Sequence, residues 1–190
     1  MKGSVMLDNM NKHQGFTVFI TGLSGSGKST LANNLALGLS GNRNRKVTLL
    51  DGDIVRKHLS QELGFSKEHR NVNVERVGFV ASEITKHGGI AICALIAPYA
   101  SSRNNNREHI SRYGGYVEVY NATPIDVCEN RDSKGLYAKA RQGIIERFTG
   151  VNDPYEQPES PEIVIDTTHL SPDDAVHEVL TYLKQEGYID

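Results

Sequence analysis

The chain has 190 residues, 38% of them hydrophobic and 23% charged, which suits one well-buried domain and is short for two. Its 23 acidic residues against 21 Lys and Arg give a formal charge of -2, so no basic excess is available to grip a nucleic acid polymer. No apolar run approaches the roughly 20 residues of a membrane span and the N-terminus lacks a signal-peptide succession, so a cytoplasmic protein with no membrane partner is expected.

Residues 1–15 are polar and without sustained periodicity, and read as a flexible tail or the remnant of a linker, with the folded domain running over 16–190. Phe16-Thr-Val-Phe-Ile-Thr21 is a β-branched and aromatic run that predicts a strand. It leads into Gly22-Leu-Ser-Gly-Ser-Gly-Lys-Ser29, the G-x-x-x-x-G-K-[ST] phosphate loop, followed by Thr30 and a helix pattern with Leu31, Leu35 and Leu39 on one face. Gly22, Gly25 and Gly27 let the backbone curl so that successive N–H groups face a phosphate, and the helix adds its positive end. Leu23, Ser24 and Ser26 complete the loop, Lys28 reaches the β- and γ-phosphates, and the Ser29 hydroxyl is placed for Mg²⁺. Nucleoside triphosphate chemistry follows from this constellation, strand, loop and helix in order.

Val47-Thr-Leu-Leu50 predicts a second strand, ending in Asp51-Gly-Asp53 and a short helix through Leu59. Val74, Val77, Val80, Ala81 and Ile84 suit one face of a helix over Asn73 to Lys86, stopped by Gly88-Gly89 before a strand over Ile90 to Ile96. Further strands are expected at Gly115–Tyr120 and Glu162–Asp166, separated by a helix opening at Pro124 and a charged segment from Lys134 to Phe148. Ser171-Pro-Asp-Asp174 opens a final helix with cap, first-turn proline and acidic partners for the dipole. The alternation implies a parallel sheet of about five strands with helices on both faces. Cys93 and Cys128 fall in apolar runs and read as reduced core thiols, and the seven histidines form no ligand cluster.

Phosphoryl transfer is chiefly positioning and electrostatics, and it needs a carboxylate near the acceptor. Asp51 and Asp53 can divide that work, one organising Mg²⁺ and the other facing the acceptor hydroxyl; an Asp-Gly-Asp turn capping a helix is compatible with both. The segment from Lys134 to Gly150 reads either as a solvated helix with its exit loop or as a lid with Gly135 and Gly143 as hinges, bringing basic charge over the phosphates.

With Leu50-Asp-Gly-Asp53 and Arg56, Leu63-Gly-Phe-Ser66 with Arg70 and Asn73, Pro98-Tyr99, Arg131-Asp132, Lys134-Gly-Leu-Tyr137, Phe148-Thr-Gly150 and Asp153-Pro-Tyr-Glu156 all in order after the phosphate loop, the sequence resembles the adenylylsulfate kinase family. The resemblance runs from about Phe16 to the C-terminus. It implies an α/β fold of the P-loop NTPase type, a three-layer sandwich with a mobile lid, and transfer of the γ-phosphate of ATP to the 3'-hydroxyl of adenosine 5'-phosphosulfate in sulfate activation. By resemblance, Asp53 handles the hydroxyl proton with Lys28 as its catalytic partner, and Ser29 and Asp51 hold Mg²⁺. Arg56, Arg70 and Asn73 hold the phosphosulfate, and Phe65 and Phe148 sandwich the substrate adenine. Ile96, Ala97, Lys134, Gly135 and Leu136 complete the substrate site, and Arg131 packs on the adenine of ATP. A homodimer is implied as well. The wording around Lys86–Ala94 is closest to the kinase half of bacterial bifunctional sulfate adenylyltransferase/adenylylsulfate kinase proteins, which implies a fused or associated ATP sulfurylase.

The sequence departs from the family at Ile54, His69, Val72, Glu75 and Ala97. Ala97 stands where many members carry a serine discussed as a phosphate carrier, so direct in-line transfer is expected here. Two other readings compete: a small P-loop kinase acting on a sugar acid or nucleoside monophosphate, and a kinase-like module that binds nucleotide without turnover. The first leaves Phe65, Phe148 and Asp153–Glu156 unexplained, and the second is disfavoured by Lys28, Ser29 and Asp53 being intact.

Overall fold

The computed structural model describes residues 14–41 and 45–190, so the expected N-terminal tail lies, apart from Gln14 and Gly15, outside the described residues. Five strands, β1 (Phe16–Gly22), β2 (Val47–Asp51), β3 (Ile90–Ala94), β4 (Gly115–Asn121) and β5 (Ile163–Ile165), form one sheet in the order β2-β3-β1-β4-β5. Every neighbouring pair is parallel. Parallel strands need crossovers, and those crossovers cover both faces of the sheet. All seven residues of the central β1 are accordingly buried.

Side chains alternate along β1 and so sort the core into two layers. Phe16, Val18 and Ile20 face α1 (Lys28–Ser40) and α7 (Pro172–Gln185), packing with Leu31, Leu35, Val179 and Leu183. Each such leucine contributes roughly 1.5–3 kcal/mol by leaving water. Phe19 looks the other way, toward α3 (Lys67–Lys86) and its Val74, Val77 and Ala81. A third, smaller cluster of Cys128, Tyr137, Ala140 and Phe148 joins α5 (Ile125–Arg131) to α6 (Leu136–Arg141). The remaining helices are α2 (Gly52–Leu59) and α4 (Ala100–Ile110). Both cysteines are free and buried, and burial pushes both thiols up. No helix among the described residues is long and apolar enough to cross a membrane.

Three elements differ from the sequence expectation. Helix α3 begins at Lys67 rather than near Asn73, because Ser66 caps it by accepting a hydrogen bond from the His69 N–H (3.3 Å). Strand β3 ends at Ala94 and not Ile96: Leu95 N–H still reaches the Ile20 carbonyl (3.1 Å), but the chain then turns away before Pro98, which has no N–H to give. Helix α4 was not anticipated. Its sequence, ASSRNNNREHI, has no apolar stripe, yet it buries Ser102, Arg103, Asn106 and Ile110.

Polar partners supply what apolar periodicity does not. Asn106 donates to the Val74 carbonyl (2.9 Å) across the α3–α4 contact, and Gly78 leaves room for it: a Cβ there would lie 2.0 Å from Asn106 Oδ1. Gly78→Ala should therefore lower stability by about 1–3 kcal/mol through overpacking, despite the better helix propensity of alanine. Urea denaturation checks this: a lower midpoint at unchanged slope is the expected result.

Candidate active site

The parallel sheet brings the carboxyl ends of β1, β2 and β3 to one edge, and the phosphate loop rises from the first of them. Gly25 and Gly27 have φ of 77° and 89°, a region that side chains rarely adopt, and a Cβ at Gly25 would lie 2.9 Å from the Cys128 carbonyl oxygen. Gly27 stands at the N-cap of α1 with no capping side chain, so the first N–H groups of the helix stay available for an anion. Lys28, half-buried, lies across the loop and donates to the Leu23 carbonyl (2.6 Å). Loss of hydration lowers its ammonium to about 8, and neighbouring anionic groups, Asp51 and Asp53 among them, offset only part of that.

Asp51, at the end of β2, does two jobs at once. Its Oδ1 accepts from the Asp53 N–H (3.0 Å) and so caps α2, while Oδ2 accepts from the Ser29 hydroxyl (2.7 Å). The hydroxyl and carboxylate thus form a pair of hard oxygen donors beside the phosphate loop. This set fits Mg²⁺, which takes one or two protein ligands together with substrate phosphates and water. Among the described residues no cluster of three or more His, Cys, Asp or Glu offers a fuller cage. Asp53, two residues further, is exposed and forms an ion pair with Lys134 Nζ from the opposite wall.

Both carboxylates, the loop and Arg56, Phe65, Arg70, Asn73, Ile96, Ala97, Arg131 and Lys134 line one cavity of about 590 Å³. Phe65 is 57% exposed, so it is not a core aromatic. Arg56 and Arg70 flank its ring at 4.3 and 5.5 Å. Arg56 donates to the Leu63 carbonyl (2.7 Å), and Arg70 to the Phe65 and Arg147 carbonyls (2.9 and 2.5 Å) and to Thr149 Oγ1 (3.0 Å). Asp153 Oδ2 lies 3.4 Å from Arg70 Nε, which gives the Asp153–Glu156 block a role in holding this wall. Asn73 is buried with its Oδ1 unpartnered. Of the departures, His69 Nδ1 accepts from Gly64 N–H (2.8 Å), and Glu75 accepts from Asn105 (3.4 Å). Ile54 and Val72 are exposed.

Phe148 lies apart from the residues that line the cavity. It does not reach the cavity wall beside Phe65 but packs edge-on against Tyr137, ring centroids 4.8 Å apart, in the core of the lid. The reason is that the segment carrying it folds back on itself: the Phe148 N–H donates to Asn152 Oδ1 (2.6 Å), and its carbonyl accepts from Val151 and Asn152. The two-faced aromatic sandwich is not assembled in this conformation. Gly135 and Leu136 likewise lie behind the wall, although Gly135 and Gly143 both have positive φ with open space around them, as hinges require.

Several working side chains carried no sequence-level role. Asp132 accepts from the Tyr137 and Ala138 N–H groups (3.0 Å each) and so starts α6. The Tyr137 hydroxyl donates to the Ser24 carbonyl (2.9 Å), tying α6 to the phosphate loop. Thr167, after β5, receives Arg131 at 2.7 Å and donates to the Ser26 carbonyl (3.3 Å). Only a threonine pair closing a strand hinted at the last, and that signal is too common to use.

A phosphate loop after the central strand of a parallel sheet, acidic groups at the neighbouring strand end and a basic segment facing both define a P-loop phosphotransferase. Within that class the sequence pattern of adenylylsulphate kinase matches residues 14–166. The chain belongs to the adenylylsulfate kinase family. An adenylyl-sulfate kinase of Synechococcus sp. (strain JA-3-3Ab) is 47% identical over 176 residues, 93% of this chain and 98% of its own length. A sulfate adenylyltransferase of Aspergillus oryzae is 49% identical over 93% of this chain, but the chain spans only 31% of that protein. Among solved structures, the Mycobacterium tuberculosis APS kinase CysC in complex with AMPPNP and APS is 38% identical with a TM-score of 0.86, covering 90% of this chain and 98% of its own. A hexameric APS kinase from Thiobacillus denitrificans is 52% identical with a TM-score of 0.75, covering 95% of this chain and 31% of its own. A Sinorhizobium meliloti gluconokinase, 16% identical, shares the fold alone.

The Lys28 shift sets a pH dependence for nucleotide binding. Below about pH 8 the ammonium is already charged. Above it, a triphosphate that requires the charge must restore a proton, so its Kd should rise about tenfold per pH unit while proton uptake appears. Calorimetry at pH 9 in two buffers of different ionisation enthalpy checks this, and Lys28→Arg should abolish the uptake.

Proposed function

We propose that the protein transfers the γ-phosphate of ATP to the 3'-hydroxyl of adenosine 5'-phosphosulfate, giving ADP and 3'-phosphoadenosine 5'-phosphosulfate. The observation that carries this reading is the single cavity with the phosphate loop at one end, the Arg56–Phe65–Arg70 wall at the other and Asp53 between them. Lys28 exchanges the Leu23 carbonyl for the β- and γ-phosphates, and the loop N–H groups take up their oxygens. Asp53 orients the 3'-hydroxyl and receives its proton as the new O–P bond forms and the bond to the ADP oxygen breaks. Mg²⁺, held by Ser29 and Asp51, would neutralise charge on the transferring group. Arg56 and Arg70 offer planar forks to the phosphosulfate, with Asn73 beside them, and Phe65 gives a face to the substrate adenine. Ala97 has no hydroxyl, so the transfer is direct and in line.

The same reading includes Arg131 at the ATP adenine, closure of the segment from Lys134 to Gly150 over the phosphates, and rotation of Phe148 toward Phe65 on closure. It includes a cytoplasmic setting, which the two free, buried cysteines suit. A homodimer is part of it too, supported by Phe79 standing 59% exposed on α3, as is association with a sulfate adenylyltransferase, the name of the longer relatives.

Purified protein with Mg²⁺, ATP and adenosine 5'-phosphosulfate should form ADP and the 3'-phosphorylated product in equal amounts, separated by chromatography, and form neither with adenosine monophosphate as acceptor. Equal turnover with the monophosphate would overturn the acceptor assignment. Asp53→Asn should lower kcat by about 10²–10⁴ with the circular dichroism spectrum unchanged. Lys28→Ala should lower kcat/KM by at least about 10².

A further inference from the structure

Ala97, at φ 42°, is the one non-glycine residue among those described whose φ falls in the left-handed region. It is 2% exposed and sits on the cavity wall between Ile96 and Pro98. A backbone in that region persists only where its surroundings over-determine it. Here the surroundings are specific. Arg103, on the first turns of α4 and 2% exposed, donates from one guanidinium nitrogen to the Ala97 carbonyl (2.7 Å) and from the other to the Glu156 carbonyl (2.7 Å). Its Nε lies 3.2 Å from Glu118 Oε1 on β4, an ion pair that sets a buried negative charge beside the fork. On either side, the Ile96 carbonyl accepts from Thr21 Oγ1 (2.6 Å) and the Pro98 carbonyl from Glu156 N–H (2.8 Å).

We propose that Arg103 is a positioning residue for the acceptor: its fork holds the Ala97 carbonyl and thereby the positive φ that sets the Ile96–Pro98 wall opposite Asp53. Arg103 does not line the cavity. The geometry requires a guanidinium, because one ammonium cannot span two carbonyls and a carboxylate in a plane. The inference rests on the adenylylsulfate kinase reading and extends it to a residue on a helix behind the wall.

Arg103→Lys tests it, since lysine keeps a buried cation for Glu118 and loses the fork. The KM for adenosine 5'-phosphosulfate should rise about tenfold while the KM for ATP changes by less than about twofold. Ala97→Gly makes the positive φ free of strain, so introducing Arg103→Lys into an Ala97→Gly background should raise the acceptor KM by less than about threefold. Acceptor and ATP KM values rising together, no rise at all, or an equal rise in both backgrounds would each overturn the proposal. Should Arg103→Lys fail to fold, Ala97→Val in the Arg103 protein carries the test: a β-branched residue resists positive φ and must raise the acceptor KM selectively. The wild-type reaction is measured first. Absence of both turnover and calorimetric binding of adenosine 5'-phosphosulfate overturns the functional reading and this role with it; turnover with an unchanged Arg103→Lys overturns this role alone.

Discussion

A phosphate loop works only if its N–H groups face the ligand, and that leaves its carbonyls pointing back into the protein, where each needs a donor. The rest of the site is organised around meeting that need. Leu23 is served by Lys28, Ser24 by the Tyr137 hydroxyl, and Gly25 by Arg131 (3.3 Å). Ser26 is served by Asn121 at 2.9 Å and by Thr167. These donors come from the loop's own helix, from the lid, from α5, and from the ends of β4 and β5. Four consecutive carbonyls therefore gather the separate layers of the fold around one turn of chain. Under the proposed function Lys28 must leave its carbonyl to reach a phosphate, while Tyr137 ties the loop to the segment from Lys134 to Gly150.

The acceptor wall uses the opposite logic. There the rigid elements are side chains reaching backbone: Arg70 to the Phe65 and Arg147 carbonyls, Arg103 to those of Ala97 and Glu156, Thr21 to that of Ile96. Tyr155 stays protonated under burial and shares a 2.9 Å hydrogen bond with Thr21, while Glu156 accepts from the Ala100 N–H at the start of α4 (2.7 Å). The Asp153–Glu156 block thus works as a strut between Arg70 and the turn at Ala97.

The phosphate loop, the five strands and the Asp51–Asp53 turn were legible in the sequence because each rests on local rules: glycine where φ is positive, apolar runs where both faces are buried, a carboxylate where a helix starts. Helix α4 was not, because its inward face is Ser102, Arg103 and Asn106, and the partners that make those residues buriable lie on α3, β4 and the Ala97 turn. Hydrophobic periodicity cannot report a helix whose core is polar. The place of Phe148 in this conformation was not legible for a related reason. Its pairing with Phe65 came by resemblance, whereas its position in this conformation is decided by Tyr137 and Asn152 on the same folded-back segment.

The Asp53–Lys134 pair joins the two walls, and its exposure matters more than its presence. Both partners are more than half exposed, and an exposed pair of this kind contributes about 0–1 kcal/mol. Lys134 is therefore held loosely against the carboxylate to which the proposed reaction gives the acceptor proton. Under the proposed function, a dianionic phosphosulfate entering between Arg56 and Arg70 would offer Lys134 a stronger partner at little cost, and the exchange would leave the Asp53 carboxylate open to the 3'-hydroxyl. A buried pair in the same place would resist that exchange by several kcal/mol. The shallow placement of Asp53 at the first turn of α2, with only its backbone N–H engaged by Asp51, would let the proposed base and the anchor of Lys134 be the same residue at different stages of one cycle.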